Sequence, residues 1–145
     1  MTTRIHIKGG GFPKLQSLVG KMAEDAEIEI SKALTATGIE LRSDIQKRIR
    51  NGPATGRIYR RRSVTHQASS PGEAPASDAG RLRNSITFKK EGARAVKVFS
   101  VVKYAKWLEF GTRKIARRPA FHPAAQAAAP KLRARIEAAI ARAIR

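Results

Sequence analysis

The side chains able to carry acid–base, metal or nucleophilic chemistry are thinly spread in this chain. There are three histidines, and His6, His66 and His122 lie too far apart to make a metal-ligand pair on one helix turn or hairpin. Cysteine is absent. That removes thiolate ligands, thiol nucleophiles and disulfides, and fits a protein that works or assembles in a reducing cytoplasm. No Gly-x-Ser-x-Gly elbow occurs, and Gly9-Gly10-Gly11 lacks the spacing and the Lys-Ser/Thr of a phosphate-binding loop. Beyond residue 45 the acids are Glu73, Asp78, Glu91, Glu109 and Glu137. None has the neighbouring carboxylate that general acid–base or two-metal chemistry prefers. The expectation is a protein with no catalytic residues, no metal and no cofactor, hence not an enzyme.

The chemistry that is present is cationic. The formal net charge is +19, and it is unevenly placed. Residues 1–45 hold six bases and six acids, so the remainder carries 24 of the 30 bases, five of the 11 acids and the whole excess. Two clusters stand out: Arg57, Arg60, Arg61 and Arg62 around Tyr59, and Arg113, Lys114, Arg117 and Arg118 after Gly111. Guanidinium groups beside an aromatic hold phosphates and stack on bases, so a polyanion is the expected partner, without base readout. Acidic surfaces of protein partners, or solubility alone, are the competing explanations.

The elements that must carry these groups belong to one domain over 1–145, judged by length. No apolar run approaches the roughly 18 residues of a membrane span. The first residues lack the apolar core of a signal peptide, so a soluble chain not exported by the usual route is expected. Thr3 to Lys8 alternates as a short edge strand. From Pro13 to Arg50, apolar residues recur at three- and four-residue steps, which predicts one helix of nearly forty residues, roughly 55 Å long. Gly20 and Gly38 are candidate bends, and two shorter helices folded back near 36–38 are the alternative. Asn51-Gly52-Pro53 is a stop signal. Residues 52–80, rich in Gly, Pro, Ser and Ala, read as an extended basic loop, functional or disordered.

Arg81–Lys89 and Ala95–Val101 predict a β-hairpin turning at Lys90-Glu91-Gly92-Ala93. Its second strand has apolar residues on both faces, which predicts a buried central position. A short helix is expected over Val102–Phe110, with Tyr104, Trp107 and Leu108 on one face and Gly111 as a left-handed cap. A last, basic amphipathic helix begins at Pro123 and carries Leu132, Ile136, Ile140 and Ile144 every four residues. Pro130 is expected to kink it or to start its second half, and the helix is expected to pack on the sheet. The fold class is α+β: a long N-terminal helix, a small antiparallel sheet built on a β-hairpin, a short helix and a C-terminal amphipathic helix.

Several segments then fall into a recognisable order. Gly56-Arg57-x-Tyr59-x-Arg61 comes first, then His66-x-Ala68-Ser69-x-Pro71-Gly72-Glu73-x-Pro75, then Gly80-x-Leu82-Arg83-x-Ser85-Ile86. Last comes Tyr104-Ala-x-x-Leu108-Glu109-Phe110-Gly111-Thr112 with a basic run and a Pro-bracketed Phe121. This order resembles the neck and tail-completion family of long-tailed bacteriophages, over most of residues 12–125. The extra Ala120 between Pro119 and Phe121 departs from the family pattern, and the final helix matches only as a helix.

The resemblance implies a structural virion protein, assembled in the host cytoplasm and located at the head–tail junction. It would form a homo-oligomeric ring of six- or twelve-fold symmetry. Its partners would be the head connector and the tail terminator or tail-tube proteins, with DNA passing non-specifically through the lumen and no membrane contact. In that frame the eight clustered bases face DNA or partners. Tyr104, Trp107, Leu108 and Phe121 anchor the core, Gly111 and Thr112 end the short helix, and Pro119 and Pro123 fix a corner. Glu109 pairs with an arginine of its own or of the next subunit. The rival reading is an independent, non-sequence-specific nucleic-acid-binding protein; a toxin or nuclease-like enzyme would need a clustered acid or histidine set that is not seen.

Overall fold

One helix sets the length of the molecule. In the computed structural model, which describes residues 12–144, α1 (Phe12–Asn51) runs unbroken for 40 residues, about 60 Å. The expected strand over Thr3–Lys8 lies outside the described residues. Both candidate bends are helical, for different reasons. Gly20 has open space around it, whereas a Cβ at Gly38 would lie 2.5 Å from Phe88 Cε2. Gly38 is therefore the notch that admits an aromatic ring.

The rest of the chain packs on the C-terminal part of α1. Residues 52–80, expected as a loop, hold a hairpin instead. β1 (Ile58–Arg61) pairs antiparallel with β2 (Val64–Gln67), in the register Ile58↔Gln67 to Arg61↔Val64. Its tight turn places Arg62 at φ 51°. No aliphatic alternation announces this hairpin, because almost every side chain on both strands is exposed.

Arg81–Asn84 is a helical turn, α2, in place of the expected strand. Gly80 at φ 73° starts it, and it turns Leu82 onto the core. The second hairpin then forms as expected, β3 (Ile86–Lys90) against β4 (Val96–Ser100), with Gly92 in the turn at φ 84°. A correction concerns β4: it pairs only with β3, so its other edge is open and it is not a central strand. Val98 packs against the core on one face, while on the other side of the strand end Val101 is 68% exposed. Among the described residues the second apolar face is left open at Val101, while Phe99 is half-buried.

Two more helices complete the fold. α3 (Ala105–Phe110) is shorter than the predicted Val102–Phe110, and α4 (Phe121–Ala143) continues through Pro130. The sheet was the expected partner of α4. It lies antiparallel along α1 instead, with Arg135 reaching Thr37 and Glu40, and Arg142 reaching Glu29 at 3.1 Å. The reason is charge as well as shape: α1 supplies the carboxylates that α4's arginines need, while Ala139 is fully covered at the close approach. Arg42 and Gln46 donate to the carbonyls of Ile86 and Arg83, and Arg94 pairs with Glu27, so the second hairpin is tied along α1 from root to tip. Where all these pieces meet, Ile45, Ile49, Ile86, Ala120 and Ala124 form the core, joined by Leu41, Leu82, Val98 and Phe121.

The two glycines should respond oppositely to alanine. Gly38→Ala must displace Phe88 and is expected to lower global stability by about 1–3 kcal/mol in urea denaturation. Gly20→Ala meets nothing, so it should stabilise its helix locally by about 0.5–1 kcal/mol, seen as slower amide exchange around residue 20.

Acid should loosen the α1–α4 contact. The pKa of Glu29 is lowered from its ordinary 4.5 by hydrogen bonds from Lys32 and then Arg142, and that of Glu40 by the hydrogen bond from Arg135. A folded-state pKa below the unfolded one gives stability that is complete above the unfolded value and is lost as pH falls through the folded value. The melting temperature should therefore fall below about pH 5, and the Glu29→Gln/Glu40→Gln variant should lose less over the same acid range.

Candidate functional site

α4 begins without a capping side chain of its own. Its N-cap is Ala120, and no acid lies in its first turn. The exposed N–H groups of a helix start need acceptors, and its positive dipole end favours an anion. Glu109, eleven residues back on α3, supplies both. Its Oε2 accepts from the N–H groups of Ala120 at 2.8 Å and Phe121 at 3.0 Å, and its Oε1 accepts from His122 at 2.7 Å. The side chain is buried, at 9% exposure. This corrects the expectation that Glu109 pairs with an arginine: its partners are backbone donors.

The intervening loop is shaped to make that reach. Gly111 ends α3 at φ 77° and ψ 175°, so the positive φ expected of the cap is present with an extended ψ. A Cβ there would crowd Ile115 O at 3.0 Å and Arg117 N at 3.1 Å. Thr112 Oγ1 accepts from the N–H groups of Lys114 and Ile115, and Thr112 N donates to Ile115 O. Arg118 N then returns to Leu108 O at 2.6 Å. Pro119 and Pro123 flank the three donors, and the extra Ala120 is one of them, 1% exposed.

The aromatic residues expected to anchor the core divide. Phe121 packs against the core and Tyr104 and Leu108 are half-buried. Trp107 is 47% exposed and so does not anchor this subunit's core. A six-residue helix has room for one inward face, and Ala105 and Glu109 occupy it.

The structure ties the 113–118 loop to the segment that follows the β1–β2 hairpin, and Arg118 lines the same cleft as Tyr59 and His66. Arg118 Nε donates to Ser69 O at 3.0 Å, and Gly72 N donates to Arg117 O at 2.9 Å. Gly56 N and Ala68 N close the root of the β1–β2 hairpin beside them. Arg57, Arg60, Arg61 and Arg62 are exposed on that hairpin, with Arg57 over the Tyr59 ring at 5.6 Å. Arg113, Lys114 and Arg117 are exposed on the loop, and Arg118 is half-buried. Asp78 is the acid nearest the hairpin, 3.9 Å from both Arg61 and His66. It stands at the mouth of a cleft of about 480 Å³ lined by Tyr59, His66, Leu82, Tyr104, Leu108 and Arg118.

Sequence reasoning missed the role of Glu73. Its carboxylate accepts from Thr55 Oγ1, Thr55 N and Ser70 N at 2.5, 3.3 and 2.7 Å, so it latches residue 55 to residues 70–73. The hydroxyl of Thr55 and then the Ser70 N–H hold its pKa below the usual carboxylate range. Its place in the Pro-Gly-Glu segment is the one signal that points to it. Among the described residues no group of His, Asp and Glu is arranged to hold a metal ion. What this surface can do chemically is attract phosphates and offer hydrogen-bond donors.

Long helix, two separate hairpins and capped corner define a small α+β protein with exposed basic residues on the first hairpin and the 113–118 loop. The chain belongs to the HK97-gp10-like family, described as bacteriophage HK97-gp10, putative tail-component, whose model matches residues 14–111. It is thus a bacteriophage structural protein related to the tail. No curated protein and no solved structure matches it. The matched stretch runs from the first turn of α1 to Gly111, and so holds Glu109 but not the helix start it caps.

Because hydrogen bonds to a charged group contribute about 1.5–3 kcal/mol each, replacing the carboxylate should be felt by the whole subunit. Glu109→Gln keeps the shape but loses the charge, and should lower stability by about 2–3 kcal/mol in chemical denaturation. Glu109→Lys should be worse, because it sets an ammonium against three N–H donors.

Proposed function

We propose that this protein forms a ring at the phage head–tail junction, joining head to tail and surrounding the passage of DNA. One observation carries the reading: the basic 113–118 loop is hydrogen-bonded at Ser69 and Gly72, just after the hairpin that bears Arg57, Arg60, Arg61 and Arg62, and Arg118 lines the same cleft as Tyr59 and His66, with Asp78 the one acid paired with any of these bases among the described residues. A ring repeats that surface around its axis. Phosphate attraction without base contacts is what a conduit for any DNA sequence requires.

The β1–β2 hairpin supports this reading. A lone two-stranded hairpin has little stability of its own, and this one is exposed on both faces. Its tip residue Arg62 sits at φ 51°, where a non-glycine residue costs about 1–2 kcal/mol. A guanidinium kept there at that cost fits a residue selected for contact. The partners are the neighbouring copies, the head connector, the tail terminator or tail-tube proteins, and the DNA in the lumen. The whole chain acts as one neck domain, and the reaction it performs is assembly, not catalysis.

Native mass spectrometry of the full chain with connector and tail proteins tests this, with rings of defined mass expected. Changing Arg57, Arg60, Arg61 and Arg62 to Ala should leave the melting temperature nearly unchanged. The same change should flatten the salt dependence of DNA retention by the assembled complex, by about 0.9 in log–log slope for each phosphate that is no longer neutralised. Tight, salt-sensitive duplex binding by the monomer without partners would favour an independent nucleic-acid-binding protein instead.

A further inference from the structure

Two unsatisfied apolar surfaces lie at opposite ends of the molecule. The first is the projecting start of α1. None of the described residues covers residues 13–21, where Leu15, Leu18 and Val19 are 54%, 57% and 57% exposed, and Met22 continues their face one turn on. The spacing i, i+3, i+4, i+7 makes a helix stripe built for burial. The second is a groove of about 440 Å³ between the end of β4 and α3, lined by Phe99, Val101, Val102 and Phe110 and edged by Lys103 and Lys106. Phe110 there is 81% exposed.

The two surfaces cannot meet within one copy. Arg42 of α1 bonds Ile86, which pairs with Ser100 beside the groove. Leu18 is 24 residues from Arg42 along a straight helix, about 36 Å away. The stripe carries both signs, Lys14 and Lys21 on its first turns and Glu24 and Asp25 at its end, and it is the acidic end that matches a lysine-edged groove. Beside the stripe, Glu24 and Asp25 are exposed, and among the described residues neither has a cationic partner. The groove is edged by lysines.

We infer that the projecting first turns of α1 (residues 13–25) dock into the β4–α3 groove of the next copy, with Glu24 and Asp25 against Lys103 and Lys106. This rests on the ring reading and says how the ring is made. A head-to-tail contact between different surfaces repeats around a closed ring, whereas like surfaces pairing across a two-fold axis would stop at a dimer. The mode is a helix in an apolar groove, with charges setting the register. The stripe from Leu15 to Asp25 and the groove residues from Phe99 to Phe110 lie within the family-matched residues 14–111.

The chain's lack of cysteine makes cross-linking a clean test. Under oxidation, the full-length Leu18→Cys/Val102→Cys variant should give a ladder of covalent multimers, and neither single variant should. Lys103→Glu/Lys106→Glu in that background should cut the ladder about tenfold at low salt, and adding Glu24→Lys/Asp25→Lys should recover it. Covalent dimers from Leu18→Cys alone would overturn the inference in favour of like α1 faces pairing. No ladder, from a protein that still forms rings in native mass spectrometry, would overturn this interface and leave the ring reading standing. A wild-type chain that stays monomeric with its connector and tail partners would end both.

Discussion

The fold turns on one carboxylate. Glu109 is where the hairpin half of the chain is joined to the helical half, because its two oxygens accept from the N–H groups of Ala120, Phe121 and His122. Without it, α4 would start with unpaired donors beside a buried Ala120. The carboxylate orients the first turn of α4, and that turn puts Ala120, Phe121 and Ala124 against Ile45, Ile49 and Ile86. A local hydrogen-bonding need thereby decides how two distant segments share a core. Gly111 and Thr112 matter for the same reason, since they shape the loop that returns the chain to Leu108.

Charge is sorted by this arrangement as well as by composition. Three acids of α1 are used within the subunit: Glu27 holds the tip of the second hairpin, and Glu29 and Glu40 hold α4. The basic residues of the β1–β2 hairpin and of the 113–118 loop, Arg118 apart, are left exposed. The net-zero first third of the sequence is thus a charge partner for the last third, and the uncompensated excess is concentrated where a polyanion or an assembly partner could reach it.

The same geometry leaves the subunit incomplete. The described residues cover only part of a 40-residue helix, and the part they leave bare carries an apolar stripe. β4 has the residues of a central strand and the position of an edge, so its second apolar face is left open at Val101. The apolar pattern marks what is to be buried and is silent about whose atoms bury it. A tail-component subunit built for assembly accounts for that mismatch better than a free-standing monomer does.

By itself, the sequence determined the long helix, the second hairpin and the last helix. Those follow from periodicity and turn glycines, all local in the chain. Family membership was also legible, because motifs such as Tyr104-Ala-x-x-Leu108-Glu109-Phe110-Gly111-Thr112 keep their order. Only the tertiary structure decided the rest. The β1–β2 hairpin is hidden in the sequence because exposed strands have no apolar alternation to read. Composition favours burying the indole of Trp107, but Ala105 and Glu109 take the inward face of so short a helix. Glu109 resembles an arginine's partner because donors on the backbone leave no mark in a sequence, and which N–H groups need an acceptor is settled only when α3 and the start of α4 meet.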